Sequence, residues 1–162
     1  MTGKITVPTS PPESVRLPDT LSELTLLAVN DLKAARKTRK YEIYMGQWHA
    51  PYDGKCSICA AGSIMAITLK SDPDERLSPN SFDDDTRRKL EAVNDLRCGA
   101  VGEAFLCLKS VYFSTDLDEA DQELYWKYEA LDRDVPTFNP HDPRPFYRAM
   151  EKLAADLKEA GF

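Results

Sequence analysis

Apolar residues recur at helical steps along most of the chain, and those stretches set the expected fold. Leu21, Leu24, Ala28, Leu32 and Ala35 fall on one face of a first helix running to about residue 37. Thr20-Leu21-Ser22-Glu23 reads as its capping box, with the Thr20 hydroxyl accepting from the Glu23 N–H and the Glu23 carboxylate reaching back. Leu90, Val93 and Leu96 mark a helix over Thr86–Arg97. Asp83, Asp84 and Asp85 sit at its positive end, and Cys98-Gly99 supplies the stop. Ser114-Thr115-Asp116 predicts the start of another helix, striped by Leu117, Ala120, Leu124, Tyr128 and Leu131. A proline-rich linker follows, and Phe146, Met150, Leu153, Ala154 and Leu157 then outline a terminal amphipathic helix.

The stretch Tyr41–Leu69 is the centre of the pattern. From Lys55 to Leu69 there is no proline and hardly a charge, while Ile58, Ala61, Gly62, Met65, Ala66 and Leu69 recur at three- and four-residue steps. Such a segment has to be buried on most sides, and its small residues let other helices approach. The spacing therefore predicts a buried central helix over 55–69. Tyr41–Met45 reads as a short strand, and Gly46 and Pro51-Tyr52-Asp53-Gly54 as a turn-rich connection. Gly102–Leu108 is apolar and short, a helix or a buried strand, with Val111-Tyr112-Phe113 as an extended continuation. Residues 1–18 carry four prolines and read as an extended arm with a short strand at Lys4–Val7. The expected architecture is mainly α: one compact domain over 19–162, about five helices around the central one, and at most a minor β element.

Charge narrows the choice of partner. A chain of 162 residues fits one domain and buries about 70% of its unfolded surface. Its net charge of −6 argues against direct nucleic-acid binding, which needs a basic surface. No apolar run reaches the ~18 residues of a membrane span. The N-terminus lacks the apolar segment of a signal peptide, so a cytoplasmic location with reduced cysteines is expected. Against the acidic background, the first helix ends in Lys33, Arg36, Lys37, Arg39 and Lys40, five cations with no acid between them. Those cations suit the negative end of the helix dipole, and the charge segregation suits docking to a partner protein.

Candidate chemistry is sparse. Cys56-Ser57-Ile58-Cys59 with His49 is the one candidate zinc set, but Cys98 and Cys107 are not spaced to complete it. As a redox pair it lacks the adjacent tryptophan and the βαβ frame. Cys56 or Cys59 with His141 and either Asn139 or Asp142 has the residue types of a cysteine nucleophile site. An alternative reading is thus a small enzyme or ligand-binding protein with its site around His49, Cys56, Cys59 and His141. A further one is an acidic DNA mimic using Asp72, Asp74, Glu75 and Asp83–Asp85. There is no phosphate-binding glycine loop, no H-E-x-x-H and no G-x-S-x-G, so no catalytic residue is assigned and no cofactor is expected.

Trp48-His49-x-Pro51, Gly54, Cys56-x-x-Cys59-x-Ala61-Gly62, Met65-Ala66 and Asn94-Asp95-Leu96-Arg97-Cys98-Gly99 together resemble an uncharacterised family of small tailed-bacteriophage proteins. The resemblance covers about residues 24–108. It implies a setting, the infected bacterial cytoplasm, and no chemistry. The reading that follows is a non-enzymatic module binding a bacterial host or defence protein. Its candidate contact residues are Trp48, His49, Arg36, Lys37, Arg39 and Lys40.

Overall fold

The computed structural model describes residues 15–162; the strand expected at Lys4–Val7, like most of the arm, lies outside them. Thr20 ends an extended lead-in and caps α1 (Leu21–Arg36), its hydroxyl accepting from Glu23 N at 3.3 Å. The return bond from the Glu23 carboxylate is not made. Leu21, Leu24, Ala28, Leu32 and Ala35 are all buried, as their spacing requires.

The expected helix over 55–69 is shorter than its pattern. Asp53 (φ +50°) and Gly54 (φ +79°) both adopt left-handed backbone, the geometry of a two-residue hairpin turn. They fold β3 (Lys55–Ile58) back antiparallel onto β2 (His49–Tyr52). β1 (Tyr41–Ile43) joins β3 in parallel, with Tyr41 opposite Cys56 and Ile43 opposite Ile58. The sheet order is β1-β3-β2. Along β3 the exposed Lys55, buried Cys56, half-buried Ser57 and buried Ile58 follow a strand's alternation. Only α2 (Ala60–Ala66) of the expected helix is helical, and all seven of its residues are buried. The Cys59 thiol sulfur, acting as N-cap, accepts from Gly62 N at 3.4 Å. Its central position is as expected; its length is not.

Gly62 makes that position possible. A Cβ there would stand 1.7 Å from the Trp48 carbonyl oxygen, so only glycine lets the start of β2 cross the helix. At the far end Thr68 Oγ1 donates to the buried Asp31 of α1 at 2.5 Å. Burial pushes the Asp31 carboxyl above its ordinary pKa.

Asp83 caps α3 (Asp84–Leu96), accepting from Thr86 N at 2.8 Å. Gly99 (φ +77°) turns the chain tightly into α4 (Val101–Lys109), so the ambiguous apolar run 102–108 is helical. Val111–Phe113 is irregular rather than extended strand, and Ser114–Asp116 forms a single 3-10 turn. α5 (Glu119–Glu129) begins later, capped by Asp118. It lies on α4 through a ring stack of Phe105 on Tyr128 at 4.6 Å, which the C-terminal Phe162 extends at 3.9 Å. α6 (Arg144–Glu159) buries Phe146, Met150, Leu153, Ala154 and Leu157 against α1. Among the described residues there are thus six α-helices and a three-stranded sheet, with α1, α2, α3 and α6 enclosing the main core. No described helix is long and apolar enough to cross a membrane.

Candidate functional site

The sequence-derived residues separate into a buried clasp, a cleft and a basic corner. His49 belongs to the clasp. Its side chain is 1% exposed, and Nδ1 lies 2.7 Å from the Glu75 carbonyl oxygen. A carbonyl only accepts, so Nδ1 carries the proton, and Nε2 is buried without a partner. Leu77 N donates to the His49 carbonyl at 2.9 Å, so one residue fastens the 70–78 loop to β2 from both ends. His49, expected as a contact residue, is thus buried in the clasp and not presented at the surface.

Trp48, one residue earlier, points elsewhere. It lines a cleft of about 360 Å³ with Glu91, Asn94 and Asp95 of α3 and Glu103 and Cys107 of α4. Cys107 Sγ donates to Asp95 Oδ2 at 3.0 Å. Burial raises the Asp95 carboxyl above the usual range. Glu103 is also raised, by burial and then by the like charges of Asp95, Asp132 and Glu129. The Cys107 thiol is driven up strongly by burial and by Asp95, which keeps it a thiol and a poor nucleophile. The cleft therefore offers carboxyl groups, of which Glu91 is paired with the Arg87 guanidinium at 3.0 Å, and an aromatic wall, and no activated nucleophile. Sequence reasoning missed it, although Glu91 with Asp95 and Glu103 with Cys107 stand one helical turn apart on adjacent helices.

The cysteine pair does not form a centre. Cys56 lies in a small cluster with Ala35, Ile58 and Ala66, while Cys59 caps α2. His141 sits in an exposed turn where its N–H donates to Asn139 Oδ1 at 2.9 Å. Exposed imidazole and buried thiols do not make a nucleophile–base pair. Among the described residues no three His, Cys, Asp or Glu side chains are grouped to hold a metal ion, so Cys56, Cys59 and His49 are not brought together as a ligand set. Two outcomes check this reading. At neutral pH the exposed Cys98 reacts rapidly with a disulfide reagent, the half-buried Cys107 more slowly because its thiol stays protonated, and Cys56 and Cys59 only after unfolding. Cys59→Ser, which keeps an oxygen cap, changes stability by less than about 1 kcal/mol, whereas Cys59→Ala loses about 1 kcal/mol in a urea melt.

The acids weighed as a DNA mimic are largely engaged. Asp83 caps α3, Asp84 pairs with Arg87 and Arg88, and Asp85 holds Lys89. Asp72 and Asp74 line a cleft of about 530 Å³ that also holds Lys40 and Lys55.

The basic corner is where α1 gives way to β1. Lys33 is taken up by Glu151 at 2.7 Å, and Arg36 Nη2 donates to the Pro140 carbonyl. Lys37, Arg39 and Lys40 are exposed, and none has an ion-pair partner among the described residues. Lys40 is also next to β3, its carbonyl accepting from Cys56 N at 2.8 Å, which sets it beside Lys55. The structure thus brings Arg36, Lys37, Arg39 and Lys40 to one end of the fold and leaves Trp48 with the carboxylate cleft. Comparison with protein-family models, curated proteins and solved structures finds no match.

Proposed function

We propose that this protein is a non-enzymatic interaction module, an accessory protein of a tailed phage that binds a bacterial host or defence protein through its basic corner. The observation that carries the reading is the exposure of Lys37, Arg39 and Lys40 without ion-pair partners among the described residues. Cations left free on an otherwise acidic chain raise the encounter rate with an acidic surface and select against basic ones. The phage-like motif supplies the setting. The buried Cys56 and Cys59 stand apart from the exposed His141, and Cys107 is held as a thiol, which favours this reading over a site built on Cys56, Cys59 and His141.

The test is a reversal of charge. In Lys37→Glu/Arg39→Glu/Lys40→Glu the melting temperature stays within about 3 °C, because exposed side chains contribute little to stability. A partner retained by the wild-type protein at 50 mM salt is lost by the variant, and a host phenotype of expression is lost with it. The same partner binding both proteins alike would sink the reading.

A further inference from the structure

Among the described residues β1 is an edge strand whose outer side is open. The register pairs Tyr41 with Cys56 and Ile43 with Ile58, while Cys56 N donates to Lys40 O and Tyr44 N to Ile58 O. In a parallel ladder those bonds turn the backbone groups of Lys40, Glu42 and Tyr44 toward β3. The N–H and C=O of Tyr41 and Ile43 therefore point away from the sheet, and none of them has a hydrogen-bond partner among the described residues. The opposite edge is different: β2 is covered by the bridge from His49 to Leu77. Among the described residues the β2 edge is covered at His49, and the β1 edge is left open.

We propose that β1 takes up an extended acidic segment of a partner protein as a fourth strand. The proposal rests on the reading of the basic corner as the binding surface and names its mode. Unpaired edge groups are a template for strand addition, with main-chain bonds supplying affinity and flanking side chains supplying selection. At the entrance to β1 stand Lys37, Arg39 and Lys40; Asp53, Asp72 and Asp74 share the cleft of Lys40 and Lys55, which leaves Lys37 and Arg39, exposed and without ion-pair partners among the described residues, as the cations that face an incoming segment. At its exit the exposed Tyr44 offers an aromatic surface. The fitting segment is thus acidic where it passes Lys37 and Arg39 and apolar where it passes Tyr44. A second copy of this chain fits poorly, because antiparallel β1 pairing about its middle residue sets Glu42 opposite Glu42, a like-charge pair.

Fluorescence anisotropy with the full chain tests this. The probe is a labelled ten-residue peptide of four Asp/Glu residues followed by Val and Thr, together with its reversed-sequence counterpart. At 50 mM salt one of the two binds with a Kd of about 10–100 µM. N-methylation at alternate backbone nitrogens of that peptide weakens it at least about tenfold, as does Lys37→Glu/Arg39→Glu. Hydrogen exchange reports on the site directly, since the Tyr41 and Ile43 amides become protected only when peptide is bound. Failure of both peptides to bind by 1 mM overturns strand addition. So does equal binding by the N-methylated form, or protection that appears with rising protein concentration in place of peptide. Loss of a natural partner on charge reversal with unchanged exchange at Tyr41 and Ile43 would leave the basic-corner reading standing and remove this one.

Discussion

Gly62→Ala is expected to cost at least about 3 kcal/mol and to leave a substantial unfolded fraction at moderate urea. The added methyl would lie 1.7 Å from the Trp48 carbonyl oxygen and 3.0 Å from Ile58 Cβ. Neither neighbour is the loose end of a side chain. Trp48 leads directly into β2, whose His49 is clamped to Glu75 and Leu77, so the strand cannot yield without releasing the 70–78 loop. Moving α2 instead would disturb a helix with no exposed residue. Gly54→Ala is the comparison. Its φ of +79° disfavours any side chain, but no atom lies within 4 Å, so only the backbone preference of about 1 kcal/mol is lost. Equal urea midpoints for the two variants would show that no close crossing exists at Gly62.

Lys89→Met is expected to destabilise by about 2–3 kcal/mol, well above the usual surface-lysine effect. Lys89 is 4% exposed and lies within the α3 spiral, yet its ammonium has a complete set of acceptors. It donates to the Leu17 carbonyl at 2.8 Å, Asp19 Oδ1 at 3.0 Å and Asp85 Oδ2 at 2.9 Å. Methionine fills most of the stem's volume, so the loss reports the polar contacts rather than a cavity. The buried Leu17 carbonyl loses its bond, and the lead-in to α1 is no longer tied to α3. A pH signature distinguishes this from lost packing. Lys89 and then Arg16 hold the Asp19 carboxyl below its ordinary pKa. A depressed carboxyl adds stability above its unfolded pKa, and that part is lost as pH falls through the folded value. Wild-type protein therefore loses more stability between pH 5 and pH 3 than Lys89→Met does. Parallel pH curves would contradict the arrangement.

The helical skeleton was legible where one face of a helix carries the core. The stripe Phe146, Met150, Leu153, Ala154, Leu157 is the buried face of α6, and the Asp83 cap marks the start of α3. Lys55–Leu69 misled because its apolar residues satisfy two periods at once. Cys56 and Ile58 alternate as in a strand, while Ile58, Ala61 and Met65 step as in a helix. The Asp53-Gly54 pair decides between them, since its left-handed backbone sends the chain back along β2 before α2 can begin. Reading that pair as a generic turn hid the hairpin. The cleft around Trp48 was less accessible still, because it joins Trp48 to residues of α3 and α4 that are distant in sequence. The basic corner was legible from its local run of cations. What the run could not reveal was that Lys33 and Arg36 have partners in or just before α6, whereas Lys37, Arg39 and Lys40 do not.

The proposal that the basic corner is the binding surface is tested most directly by cross-linking the protein to its captured partner with a carboxylate-to-amine reagent. Links are expected to concentrate at Lys37, Lys40 and Lys55, to join acidic residues of one partner segment, and to disappear in the charge-reversed variant. Links centred instead on Glu91, Asp95 and Glu103 beside Trp48, persisting after charge reversal, would place recognition in the cleft and contradict it.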